Sequence, residues 1–143
     1  MQQPIYMLKQ LDVSHLKNEC ALDQWFIKLV HKPVDALTVF DVARMIRQDV
    51  YLDIALPKAW DMLFEDPLAG EYDGQLIKTL VKEIELHPDR KNDAVFKHNV
   101  DRLEHTGAHF NWDSPEDAKL FREYMHDLKT AVQGKQTTRR STK

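Results

Sequence analysis

The chain has 143 residues, 43% of them hydrophobic and 30% charged, with a formal net charge of −3. That length suits one domain able to bury roughly two-thirds of the surface its unfolded chain exposes, and the mix excludes disordered and fibrous classes. The single cysteine, Cys20, excludes an intramolecular disulfide, and the longest uncharged runs, 1–8 and 105–112, are eight residues each, far short of the ~20 apolar residues that cross a bilayer. No basic stretch followed by an apolar run marks a secretion signal at the start. A cytoplasmic protein, making no use of a membrane, accounts for all of this. The charge is uneven. The last ten residues carry Lys135, Arg139, Arg140 and Lys143 and no acid, so the remainder holds sixteen basic against twenty-three acidic residues, a net charge of −7. Such a body repels nucleic acid and attracts basic proteins. The tail is most simply a solvated terminus.

Residues 1–20 contain Pro4 and little periodicity and read as an N-terminal arm with one short turn around 11–16. From Leu22, apolar Trp25, Phe26, Leu29 and Val30 fall at the spacing of a helix with one buried face, stopped by Pro33. Thr38, three residues before Asp41, forms a weak capping box for a second helix to about Gln48, with Val42, Met45 and Ile46 inward. A third pattern, 52–64, places Leu56, Ala59, Trp60, Leu63 and Phe64 on one side. Pro57 is expected in its first turn, since an interior proline costs about 3 kcal/mol.

Pro67 and Gly70 end that helix, and Asp73 or Gly74 opens the most regular one, with Leu76, Ile77, Leu80, Val81 and Ile84 inward. Beyond Pro88 a fifth segment carries Val95, Phe96, Val100 and Leu103 and is expected to end at Gly107. Ser114-Pro115-Glu116-Asp117 is a strong helix start; Leu120, Phe121, Tyr124, Met125, Leu128 and Val132 form its face, and Gly134 closes it. No segment alternates with period two. The expected architecture is all-α, a single compact domain of five or six helices: an arm at 1–20, a helical body at 21–133 and a flexible basic tail at 134–143. Oligomeric state is left open.

No reactive constellation stands out. His105 and His109 are four apart with His98 near, but Gly107 between them is expected to break the helix, and the His-Glu-x-x-His pattern of a metalloprotease is absent. The paired carboxylates Asp61/Glu65 and Glu116/Asp117 read as solvated helix charge, because acid–base work needs carboxyls in a cleft that splits their pKa values. Ser14, Ser114 and Ser141 sit in no nucleophile elbow, and Cys20 has no neighbouring base in sequence. The glycines at 70 and 74 flank two acids, which would repel a phosphate. The chain is therefore expected to have no catalytic, metal or cofactor site. A helix–turn–helix DNA reader is a second reading, since Arg44 and Arg47 lie on the helix before the would-be recognition helix. That second helix carries Asp53, Asp61, Glu65 and Asp66 against Lys58 alone, the wrong sign for phosphate. A helical regulatory or adaptor protein is the broader form of the same alternative. Trp25, Phe26, Trp60 and Phe64 read as core; Tyr51 and Tyr72, beside acids near turns, are either local contacts or exposed anchors.

Residues 22–80 carry a recognisable order of pieces: Trp25-Phe26, Leu37-Thr38, Asp41-Val42-Ala43-Arg44, Arg47-Gln48 with Tyr51-Leu52, Asp66-Pro67-Leu68-Ala69-Gly70, then Tyr72 and Gly74-x-Leu76. This stretch is similar to the immunity proteins of bacterial contact-dependent growth inhibition (CDI), closest to those guarding against nuclease toxins. The resemblance implies a mostly helical cytoplasmic protein that binds and neutralises the C-terminal toxin domain of a CDI effector, with no cofactor, no turnover and no direct contact with nucleic acid. An acidic body suits a basic nuclease partner, because complementary fields speed encounter. The shared pieces are as suited to holding the fold as to touching the toxin, and Arg44 and Arg47 are expected to pair with helix-borne acids. The expected toxin-binding residues are Asp61, Glu65, Asp66, Glu71, Tyr72 and Asp73, with the carboxylates on toxin Lys or Arg and Tyr72 as the apolar anchor.

Overall fold

The computed structural model describes residues 3–133. Among these it holds seven α-helices and three 3₁₀ turns and no strand, so the all-α expectation holds. The basic tail and the closing Gly134 lie outside the described residues. The first helix, α1 (Ile5–Leu8), is the one the sequence did not announce. It sits within the expected arm, which is strapped to the body: the Ile5 amide donates to the Lys32 carbonyl at 2.9 Å, Pro4 bridges Pro33, and Ile5 is fully buried. One isoleucine in the core is enough to hold so short a segment, since burying such a side chain contributes about 1.5–3 kcal/mol. The turn expected around 11–16 is the 3₁₀ segment Val13–His15, opened by the Asp12 carboxylate accepting from the Ser14 amide.

Helix α2 (Ala21–Val30) buries Trp25, Leu29 and Val30, and Pro33 begins the 3₁₀ turn that follows. Helix α3 (Val39–Arg47) carries a full capping box: the Asp41 amide donates to the Thr38 hydroxyl and the Thr38 amide to the Asp41 carboxylate, both at 3.1 Å. Helix α4 (Leu52–Glu65) corrects one expectation. Its helical residues begin at Leu52, so Pro57 is inside the helix rather than in its first turn. The proline is tolerated because Asp53, whose carbonyl would have received the missing bond, is exposed, and water can serve it. The buried side of α4 is Ala55, Ala59, Trp60 and Leu63, with Leu56 and Phe64 only partly covered.

Helix α5 (Gln75–Leu86) is the centre of the body. Its Leu76, Ile77, Leu80 and Ile84 are at most 2% exposed, and it packs on α3, α4 and α7. After the 3₁₀ segment Pro88–Asn92, helix α6 (Ala94–Ala108) starts where the Asp93 carboxylate accepts from the amides of Val95 and Phe96. Phe96, Val100 and Leu103 point inward, and the Phe96 ring meets Trp60 edge-on at 5.3 Å. Val95, expected on this face, is 68% exposed; at the first turn it falls one position off the stripe that Phe96 leads. Helix α7 (Pro115–Gln133) has the expected Ser114 cap, whose hydroxyl accepts from the Asp117 amide, and buries Phe121, Met125 and Leu128.

Helix α6 ends at Ala108, one residue past the expected Gly107, and Gly107 has a packing role as well: a side chain there would meet the Phe121 ring, 2.0 Å from an ideal Cβ. Gly74 has the same use at the start of α5: its φ is 88°, and a Cβ would lie 2.0 Å from the Tyr124 ring. Both glycines let α7 approach closely. Gly107→Ala should therefore destabilise by about 1–3 kcal/mol through overpacking, reversing the ~1 kcal/mol gain that alanine normally brings to a helix. Gly74→Ala, strained in backbone as well, should cost about 2–4 kcal/mol. Urea denaturation of the two variants checks both the signs and the order.

Candidate functional site

The pieces shared with the resembled family converge on one buried carboxylate. Asp41 is 4% exposed. One oxygen accepts from Trp25 Nε1 at 3.3 Å; the other takes Lys32 Nζ at 2.6 Å and the Thr38 amide at 3.1 Å. Burial pushes the acid's pKa up, yet the Lys32 ammonium and the Thr38 donors more than offset it, and the carboxyl titrates below its ordinary value. Arg44 lies over the Trp25 ring at 4.9 Å and the Phe40 ring at 5.9 Å, within cation–π range. That corrects the expected pairing of Arg44 with an acid: no ion pair forms at Arg44 or Arg47 among the described residues. Leucine 37, beside the cap, is buried. These residues tie α2 to α3 and are scaffold.

The second shared piece shapes the turn between α4 and α5. The Asp66 carboxylate accepts from the Leu68 amide, and Pro67, Leu68 and Ala69 are buried. Gly70 takes φ 149°, and a Cβ there would be 2.4 Å from Cβ of Gln75. Gln75, itself buried, accepts from the Glu71 amide at 2.7 Å, while the Gly74 amide reaches the Leu68 carbonyl and the Leu76 amide the Ala69 carbonyl. The amides of Leu68, Ala69, Glu71, Gly74, Gln75 and Leu76 thus each have a partner within the turn. The result is a fixed loop that holds its apolar residues in and its Glu71, Tyr72 and Asp73 out, with Tyr72 52% exposed. Tyr51 behaves otherwise: half-buried, it opens α4 with φ 46°, packs on Phe26 at 6.2 Å and carries Lys9 over its ring.

All six residues expected to meet a toxin are exposed: Asp61 and Glu65 on the last turns of α4, Asp66 at its end, and Glu71, Tyr72 and Asp73 on the loop. The structure divides them. Tyr72 alone also lines a cleft of about 350 Å³ between the end of α3 and α5. Its other walls include Ile46, Arg47, Lys78, Lys82, Leu86 and His87, of which the sequence singles out only Arg47, for the DNA-reading alternative. A signal was available. Lys78, Lys82 and Leu86 recur every four residues, and Leu86 lies outside the inward stripe of α5. Elsewhere, His105 and His109 stack at 4.3 Å between ring centroids, with His109 Nδ1 3.0 Å from the His105 carbonyl, a helix-end contact. Among the described residues no group of three or more His, Cys, Asp or Glu is placed to hold a metal ion, and no helix is long and apolar enough to cross a membrane.

This is a helical scaffold whose motif residues hold the frame and leave one charged edge open, the form of a binding protein. Residues 7–94 match the family of CDI immunity proteins, and the chain belongs to that family. Comparison with curated proteins and with solved structures gave no match. The match begins within the N-terminal arm and ends at the start of α6, so it spans both shared pieces, the acidic loop and the cleft.

The Asp41 knot makes a pH-dependent prediction. Because the folded pKa is depressed, the stabilisation is full above the unfolded value near pH 4 and fades as pH falls through the folded one. Asp41→Asn should lose about 1–3 kcal/mol at pH 7, a range discounted because the Lys32 side chain is 35% exposed. The gap between variant and wild type should narrow steadily below about pH 4. Chemical denaturation from pH 3 to pH 7 reads both.

Proposed function

We propose that this immunity protein neutralises a basic nuclease toxin domain of a CDI effector in the cytoplasm, by one-to-one binding without turnover or cofactor, with residues 21–133 as the immunity domain. The observation that carries the reading is acidic exposure: Asp61 and Glu65 on the last turns of α4, Asp66 at its end, and Glu71 and Asp73 beside Tyr72 on the loop that follows are all exposed, and the loop is held by its own hydrogen bonds. Outside the basic tail the chain has a net charge of −7, which favours rapid capture of a cationic partner. A loop that needs no ordering on binding keeps more of its contact energy as affinity. Protection requires that almost no toxin stay free, so a nanomolar dissociation constant, about −12 kcal/mol, is the expected strength. The family supports the toxin as the partner; the charge supports its being basic.

Co-expression with the C-terminal domain of the effector encoded beside this chain tests the reading. Rescue of growth and co-purification at one to one are expected, and continued killing with no complex would refute it. Reversing Asp61, Glu65, Glu71 and Asp73 together to lysine should slow association by roughly tenfold or more at low salt, with the difference shrinking as salt rises. Stopped-flow mixing measures this. An association rate unchanged by the reversal would move the interface elsewhere. Tyr72→Ala should act on dissociation instead, as loss of an anchor does.

A further inference from the structure

We propose that the cleft between the end of α3 and α5 seats an acidic segment of the toxin domain, one that carries an apolar side chain among its carboxylates. The proposal rests on the toxin-binding reading and adds to it a second contact of opposite charge. Arg47, Lys78 and Lys82 line the cleft, and none of them forms an ion pair among the described residues. Of the two carboxylates beside them, Glu83 is buried at 4% and already held by Arg90, which leaves Asp49 alone at the rim. Three free cations against one free acid make a positive pocket on a body that is otherwise strongly negative.

The same cleft is apolar where a partner would enter. Leu86 is 72% exposed, Tyr72 is 52% exposed, and Ile46 closes the base. An exposed leucine and tyrosine ringed by unpaired cations match a segment with the converse pattern, and the lysines' aliphatic stems widen the apolar contact. The volume of about 350 Å³ fits a protruding side chain rather than a whole helix. Nucleic acid is the less favoured occupant, because it has no apolar side chain to set against Leu86 and Tyr72, and a polyanion longer than the cleft meets a surrounding body of net charge −7 that a short acidic protrusion avoids. Tyr72 belongs to both surfaces, so the acidic loop and the cationic cleft form one continuous edge. A toxin bearing an acidic protrusion beside a basic surface meets both at once, and a merely basic protein does not. The cleft therefore supplies selectivity where the acidic loop supplies speed.

The experiment titrates the purified C-terminal domain of the adjacent effector into wild type, Lys78→Glu/Lys82→Glu and Leu86→Asp by calorimetry. All substituted positions are exposed, so thermal melts close to that of wild type are expected. Each variant should weaken binding by roughly tenfold or more. Hydrogen exchange on the wild-type complex provides a readout independent of any variant, and should show new protection at 46–49 and 75–87. If wild type binds but the variants bind within about twofold of it and exchange at those segments is unchanged, the cleft proposal is overturned and the toxin-binding reading stands. If wild type does not bind the domain, both fall. Retention of duplex DNA or RNA by wild type that the lysine reversal abolishes, with toxin binding unaffected, would overturn the proposal in favour of a nucleic-acid cleft.

Discussion

The buried Asp41 carboxylate organises the packing of α2 on α3 and the link between them. Removing the Asp41 carboxylate from water is costly, and its burial is tolerable only because an indole, an ammonium and a backbone amide reach it from three different stretches of chain. Each donor fixes one relationship. The Trp25 indole sets the roll of α2 against α3, Lys32 ties down the link between them, and Thr38 starts α3. Arg44 then covers the outer face of the same indole. The shared pieces Trp25, Leu37-Thr38 and Asp41–Arg44 are thereby accounted for without reference to any partner. A carboxylate of this kind specifies arrangement more than it adds stability, since only one placement of the three donors satisfies it.

The loop between α4 and α5 divides its labour by side. Pro67, Leu68 and Ala69 face the core, the glycines at 70 and 74 give the chain room beside Gln75 and Tyr124, and hydrogen bonds hold the amides of Leu68, Ala69, Glu71 and Gly74. What remains outside is Glu71, Tyr72 and Asp73. The frame can stay constant while the outward residues change, because substitutions at exposed positions away from such bonds alter stability by only about ±0.5 kcal/mol. The acidic edge, on the end of α4 and the loop after it, and the cationic cleft, between the end of α3 and α5, both adjoin α5, which packs on α3, α4 and α7.

Much of the architecture was legible in the chain. The periodic stripes of α2 to α7, the Thr38–Asp41 capping box and the Ser114 cap appear where spacing and cap chemistry place them. The misreadings share one cause. Local preference puts Pro57 in the first turn of α4 and makes Gly107 a helix end, but the surroundings decide more: exposure of Asp53 makes an interior proline harmless, and the Phe121 ring gives the glycine a packing role. Val95 was placed inward by its hydrophobicity, although the first turn of α6 points it to water. Ile5 was assigned to a loose arm because four residues show no period, yet its burial under α2 straps the arm down. Exposure of the six acidic-edge residues was foreseeable from charge. Their separation from the cleft, with Tyr72 as the one member in both, was not.

By itself the sequence determined the class of fold, the acidic character of the body, and the membership that its ordered pieces declare. Those depend on period, charge and local caps, which act over a few residues. The tertiary structure decided that Arg44 stacks on rings rather than pairing with acids, that Asp41 is buried, and that Arg47 from α3 and Lys78, Lys82 and Leu86 from α5 line one cleft. These follow from helices packing across the core, and no local pattern encodes which two faces come together.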